Sequence, residues 1–271
     1  ELEVASTDGG ICVNYLSVVA VMKDEAPNLR EWLDFHKGVG VDHFYLYDNG
    51  STDGTKSICD SYDNISYSYN TMDMCQMACY FNALTAFRDQ SKWMAFIDLD
   101  EFLFSPKGDL KEQLKDYEQF PGIAVNEVFF GSNGNETRPP GGVLHNYTKR
   151  RQEVDKHIKS ICQPELTLCS AFNPHSFIYT QGTAVNENKQ PCGGPFNEPA
   201  TADTLRINHY WVKSKEEYQR KLTRGRADVP SRHPQFRYTT GIGRKLDDVF
   251  QQDNEVEDTI ILDYVKKNKN S

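Results

Sequence analysis

The sequence predicts an α/β fold with a mostly parallel central sheet flanked by helices. Over about the first hundred residues, apolar runs alternate with segments of helical spacing in the order β-α-β-α-β-α-β. The runs are continuous, as in strands covered on both faces. Acidic residues also gather where runs end, at Asp24 and Glu25, at Asp48, and at Asp98 and Asp100. Those are the carboxyl ends of the strands, where open α/β sheets take their ligands.

The first strand is YLSVVAVMKDE (15–25), an apolar run ending in charge. In APNLREWLDFHKGVG (26–40), Pro27 suits a first helical turn, and Leu29, Trp32, Leu33 and His36 recur at helical spacing until Gly38 and Gly40. DHFYLYDN (42–49) is a second strand, and the turn GSTDGT (50–55) feeds a short helix through Ile58. NISYSYN (64–70) alternates as a third strand, and MCQMACYFNALTAF (74–87) carries a helical stripe that reads as core. WMAFIDLDEF (93–102) is expected as a single fourth strand. Beyond it come a strand and Gly-rich turn (122–134), a loop (137–142), an irregular Pro-rich stretch (150–200) and a strand LRINHYWV (205–212). A basic helix (214–228) and a closing helix (255–268) complete the chain. No repeat or low-complexity linker interrupts it. Residues 1–14 read as an N-terminal extension and 15–271 as one domain, with a change of role near residue 105.

With 271 residues, 38% hydrophobic and 25% charged, the chain can bury a core without disulfide staples. A net charge of −9 argues against a nucleic-acid partner. No apolar run is long enough to span a membrane. The opening ELEVASTDGG has neither a signal-peptide pattern nor a Met start and reads as a trimmed beginning. Seven cysteines exclude complete internal pairing. Cys162–Cys169 or Cys169–Cys192 could bridge, although buried free thiols are the plainer reading. Sequons at Asn49, Asn64, Asn135 and Asn146 hint at a secretory compartment.

FIDLDEFLF (96–104) places Asp98, Asp100 and Glu101 inside an apolar run, where an unpaired carboxylate costs several kcal/mol. On a strand end, Asp98 and Asp100 would share a face and aim at one point, as hard ligands for Mn²⁺ or Mg²⁺ carrying a nucleotide diphosphate. A bare D-x-D pair is weak evidence, and a capping or surface pair is the alternative; its position at the end of an α/β half strengthens it. Asp48 and Asp53 can meet a base or ribose, against the plainer reading that with Asn49 they only organise the turn and cap the next helix; each is expected to do a little of both. Lys23, Asp24 and Glu25 stand at the first strand end, where a helix N-terminal acidic turn is the bland reading. His209, with Lys213, Arg220, Arg224 and Arg226 nearby, suggests a phosphate-facing side and a third metal ligand, against the commoner structural histidine. A solvated helix face accounts for Lys215 and Lys221.

VVAVMKDEAPNLREWLDFHKGVGVDHFYLYDNGSTDGT, WMAFIDLDEFLF, FFGSNG and INHYWVKSKEEYQRKLTRGRAD together resemble glycosyltransferase family 92 and its family-2-like relatives, from about residue 15 to 265. The resemblance implies a GT-A fold, a UDP-sugar donor (commonly UDP-galactose), Mn²⁺ with Mg²⁺ as substitute, and transfer with inversion to a glycan acceptor. It implies a nucleotide-sugar half (15–105) and an acceptor half (106–271). It further implies Asp98, Asp100 and His209 as metal ligands, with Lys23, Glu25, Asp48, Asn82, Asp98, Leu99, Lys213, Arg224 and Arg226 along the nucleotide sugar. Two departures bear on donor or acceptor choice: Glu127 where an aromatic residue is expected, and Lys23-Asp24 where many relatives have Arg-Asn. A Golgi location is expected if the chain is eukaryotic, a cytoplasmic one if bacterial. The catalytic base is open among Glu127, Glu136, Glu198 and Asp228. One rival is a sugar-nucleotide-making nucleotidyltransferase, for which KDEAPN is too acidic and Gly-poor. The other is a silent glycan-binding module on the same fold.

Overall fold

The computed structural model describes residues 14–224, 227 and 246–269. Its core is an eight-stranded sheet whose strands lie in the order 65–69 (β3), 43–48 (β2), 14–22 (β1), 91–96 (β4), 155–162 (β8), 122–129 (β6), 206–209 (β11) and 101–104 (β5). The first half follows the expected alternation: β1 (Asn14–Met22), α1 (Ala26–Gly38), β2 (His43–Asp48), α2 (Thr55–Cys59), β3 (Ile65–Tyr69), α3 (Gln76–Ala86) and β4 (Ser91–Phe96). β3, β2, β1 and β4 pair in parallel; the apolar runs of β2, β1 and β4 are buried, whereas the edge strand β3 is only partly covered. Buried Leu29, Trp32, Leu33, Phe35 and His36 seat α1 on the sheet. The Trp32 indole N–H donates to the Glu101 carbonyl at 2.8 Å. The His36 Nδ1 meets the Trp32 carbonyl, and its Nε2 accepts from the Leu103 N–H.

The expected fourth strand (93–102) is two strands. β4 stops at Phe96, residues 97–100 form a turn, and β5 (Glu101–Phe104) runs at the far edge of the sheet. Four strand spacings separate β4 from β5 in the order, roughly 19 Å if the sheet were flat. The chain from Phe96 to Glu101 reaches at most roughly 18 Å when straight, and here it turns. The sheet therefore curls, bringing β5 back beside the end of β4.

α4 (Leu110–Lys115) leads to β6 (Gly122–Phe129), and α5 (Val143–Asn146) to β7 (Lys149–Arg150). The stretch expected to be irregular contains β8 (Asp155–Cys162), inserted antiparallel between β4 and β6. Lys156, His157 and Lys159 break its apolar pattern, which hid it. β9 (Thr167–Ser170) and β10 (Phe177–Tyr179) form a small hairpin, and β11 (Arg206–His209) lies between β6 and β5. α6 (Lys215–Arg224) starts on a capping box, in which Ser214 Oγ accepts from the Glu217 N–H and Glu217 returns its carboxylate to the Ser214 N–H. After α7 (Leu246–Gln251), the closing segment is β12 (Val256–Glu257), paired with β7, and α8 (Ile260–Lys269), started by Asp258 accepting from the Ile260 N–H. Six of the eight strands run one way and only β8 and β5 oppose them, so the mostly parallel α/β expectation holds.

Cys59, Cys75, Cys79, Cys162, Cys169 and Cys192 are all free, so neither candidate bridge forms. In each sequon the amide nitrogen that would carry a sugar donates to a backbone carbonyl: Asn49 to Asn70 and Met72, Asn64 to Asp42, Asn135 to Ser132, Asn146 to Pro140. Among the described residues no helix is long and apolar enough to cross a membrane.

Candidate functional site

The turn at 97–100 is held from inside. Glu101 Oε2 accepts from the Asp98 N–H at 2.9 Å, and the Asp100 carbonyl accepts from the Tyr210 N–H at 2.8 Å. Leaving strand geometry, the turn gives its two aspartates different partners. Asp98 accepts from Gln76 Nε2 and, at 2.6 Å, from Lys159 Nζ. Asp100 faces Lys221 Nζ and stands 3.6 Å from His209 Nε2. The strand face that Asp98 and Asp100 were expected to share is absent, because both lie in the turn between β4 and β5. The groups that converge are Asp100, Glu101 and His209, with one ligand atom of each within 4.8 Å of the others. Pairing of His209 with Glu101 across β11 and β5 accounts for this. Leu99, expected along the nucleotide sugar, has its side chain in the hydrophobic core.

Behind this trio lies Glu127 on β6. Its Oε2 meets His209 Nδ1 at 2.7 Å, and it is 1% exposed. Lys159 on β8 is equally buried and faces Asp98 and Glu101. Sequence reasoning missed Lys159; the sign was a lysine between Ile158 and Ser160 in a run otherwise fit for a strand.

The electrostatics show too little positive charge. Glu101 Oε1 lies 3.3 Å from Lys159 Nζ and 3.6 Å from His209 Nδ1, yet neither it nor Glu127 Oε1 receives a directed hydrogen bond. Burial, reinforced by Asp98 and Glu127, pushes Glu101 up to about 8 against the pull of Lys159. Burial opposes charge on His209, but Asp100, Glu127 and Glu101 outweigh it and push the imidazole up to about 10. Burial would raise Asp98 and Asp100 as well, but Lys159 holds the first down and Lys221 with His209 the second. A site that draws protons onto a carboxylate and an imidazole together is one with unspent negative charge. Two carboxylates and an imidazole are a donor set suited to Mn²⁺ or Mg²⁺. The residues present thus fit a divalent cation.

Beside the cluster opens a cleft of about 400 Å³ at the carboxyl edge of the sheet. One wall follows β1 and β2, with Asp24, Glu25, Thr52 and Asp53; the other carries Lys213, Arg220, Lys221 and Arg224. The acidic wall is cross-tied. Asp53 Oδ2 accepts from the Ala26 N–H at the start of α1, and Asp24 Oδ1 from the Thr52 N–H. Arg224 donates to Glu25 and to the Lys23 carbonyl. Asp24 and Lys213 both take left-handed backbone, at φ 52° and 56°. Burial pulls Lys213 down, and among the described residues its ammonium shows no hydrogen-bond or ion-pair partner.

The remaining expected site residues lie elsewhere. Asp48 is 1% exposed, with its oxygens engaged by the Ser51 N–H and the Tyr67 hydroxyl, so the turn-organising reading describes it. Asn82 sits exposed on α3, accepting from Tyr47, and does not line the cleft. Glu136 and Glu198 are exposed and ion-paired with Lys215 and Lys156. Arg226 and Asp228 lie outside the described residues.

Sheet, cleft and acidic turn define an α/β protein with a cleft at the carboxyl edge of its strands, the edge where open α/β sheets take their ligands. The chain belongs to glycosyltransferase family 92, whose family model matches residues 11–191. A family 92 protein of Oryza sativa subsp. japonica is 30% identical over 176 residues, covering 62% of this chain and 30% of that protein. One of Ricinus communis is 26% identical over 229 residues, covering 77% and 37%. The chain thus spans about a third of the length of these curated relatives. Among solved structures, S. aureus TarS in complex with UDP-GlcNAc matches 56% of this chain and 46% of its own at 17% identity and TM-score 0.38. A mannosyltransferase from Pyrobaculum calidifontis in complex with GDP-Man and Mn²⁺ matches 42% and 36% at 15% identity and TM-score 0.33.

Proposed function

We propose that this chain is the catalytic domain of a metal-dependent inverting glycosyltransferase that moves a hexose, galactose from UDP-galactose, onto a glycan hydroxyl. The observation that carries the metal dependence is the unspent negative charge of Asp100, Glu101 and His209 beside a cleft lined with cations. The donor sugar and the inversion rest on family likeness.

In this reading Lys213, Lys221 and Arg224 receive the diphosphate, Lys213 first because it holds no carboxylate of its own. Asp100, Glu101 and His209 would hold the divalent cation, which would supply positive charge to offset that of the departing diphosphate. Glu127 orients His209 through Nδ1, which leaves Nε2 toward Asp100. Buried behind the imidazole, Glu127 is a positioning residue and not the base. The acceptor hydroxyl attacks the anomeric carbon as the bond to the diphosphate breaks, and its proton passes to a base on the acceptor side.

Titration calorimetry of UDP and GDP, each with and without Mn²⁺, tests the proposal. The expected result is UDP bound at least about tenfold more tightly with Mn²⁺, since a carboxylate-rich cleft repels a bare diphosphate. Equal affinity with and without metal, or preference for GDP, overturns it.

A further inference from the structure

A run of rings leads from the acidic cluster to the surface, and no step above uses it. Phe129, at the end of β6, stands edge-on to His209 with centroids 5.1 Å apart. His157 lies nearly parallel to Phe129 at 6.2 Å and 21°. Phe196 meets His157 at 4.8 Å and is 49% exposed. On the other side of Phe129, Trp211 lies 6.2 Å away and also lines the cleft.

A polar frame fixes these rings. His157 Nδ1 bonds Asp155 at 2.6 Å, Asp155 holds Arg151, Arg151 Nε bonds Asp253 at 2.8 Å, and Asp253 accepts from the Trp211 indole at 2.9 Å. The Arg151 guanidinium also lies over the Phe129 ring at 5.1 Å. Trp211 and His157, on either side of Phe129, are thus oriented by one chain of ion pairs and hydrogen bonds. Phe129, His157 and Trp211 nonetheless stay only partly buried. Among the described residues no partner meets His157 Nε2. Hydrophobic packing alone would bury such rings; here they are held in place and left open.

We infer that the run Trp211–Phe129–His157–Phe196 is a binding subsite for a pyranose ring of the acceptor glycan. Sugars present one apolar face of C–H groups and a rim of hydroxyls. A rigid aromatic surface matches the first, and an oriented imidazole nitrogen and a carboxylate at its border match the second. The run is continuous with His209 and, through Trp211, with the cleft, so a sugar on it lies next to the acidic cluster. The inference rests on the glycosyltransferase reading and names the acceptor class for that site.

The test is saturation-transfer NMR and tryptophan fluorescence on the whole chain with methyl β-galactopyranoside, methyl β-glucopyranoside, methyl α-mannopyranoside and lactose. At least one is expected to receive saturation through its ring protons and to quench fluorescence. Phe196→Ala is expected to weaken that sugar roughly tenfold and Phe196→Trp to restore it, with the thermal midpoint unchanged because the side chain is half exposed. No contact across the panel, binding insensitive to Phe196→Ala, or uptake of an apolar dye without any sugar overturns the subsite. A parallel Mn²⁺-dependent UDP titration on the wild-type preparation separates the two readings. If UDP fails to bind, the transferase reading falls; if UDP binds and no sugar does, only the subsite falls.

Discussion

Replacing Lys159 by Met keeps the length of the side chain and removes its charge. The ammonium stands 2.6 Å from Asp98 and 3.3 Å from Glu101, at 1% exposure. Without it, Asp98, Glu101 and Glu127 share the His209 imidazole alone on that side. Removing one partner of a buried pair costs about 3–5 kcal/mol, most of it the desolvated charge left behind. Asp98 keeps 34% of its side-chain surface, which allows water to relieve part of the loss and favours the lower end. About 3 kcal/mol lowers the midpoint of a domain this size by on the order of 10 °C. The assay is thermal unfolding at about pH 9, where wild-type Glu101, pushed up to about 8, carries its charge; losing Lys159 lifts Glu101 further, so Asp98 carries most of the unpaired charge in the variant. Adding Asp98→Asn to Lys159→Met should return roughly half the loss, because the charge left behind is removed with its partner. A midpoint within about 2 °C of wild type, or a double variant no better than the single one, refutes the reasoning.

Burial lowers the His36 imidazole to about 3, so the unfolded chain takes up the proton first. Its contribution is complete above the unfolded value of 6.5 and is lost as pH falls from there toward 3. At full extent it is worth roughly 4–5 kcal/mol; urea titrations across that window should show an acid slope about one proton shallower in His36→Gln, and parallel slopes count against it. Gly131→Ala puts a methyl 2.5 Å from the Gln252 carbonyl oxygen and should cost about 1–3 kcal/mol. Gly38→Ala, at the end of α1 with nothing within 4 Å, should gain a few tenths to about 1 kcal/mol; denaturant midpoints moving alike in both would contradict the packing. His209→Ala should weaken Mn²⁺-dependent UDP binding roughly ten- to a hundredfold, with partial return in excess Mn²⁺. A lowered midpoint with metal affinity unchanged would instead mark a structural histidine.

The parallel half of the sheet was legible because each of β1, β2 and β4 is a continuous apolar run ending in acid, and α1 carries an unbroken helical stripe. The second half was not. β8 carries Lys156 and Lys159, whose partners Glu198 and Asp98 come from other parts of the fold, and His157, which is held by Asp155 at the start of the same strand. Spacing also misled at the turn. Period-two reasoning put Asp98 beside Asp100, whereas Glu101 stands with Asp100 and His209 because β5 turns back along β11. The three carboxylates drew attention as a group, but which of them share a point depends on strands more than a hundred residues apart in sequence.

The short link between Phe96 and Glu101 ties two properties together. Its reach is barely that of the strands it must bridge, so the curvature of the sheet and the placement of the carboxylates are one geometric fact. An inserted residue would give the far edge slack to uncurl and carry Glu101 away from His209; a deleted one would leave β5 unable to pair in its present register with β11. The turn is thus a tether of fixed length. Chemistry at this corner can vary by exchange of side chains, whereas a change in loop length would dismantle the corner itself.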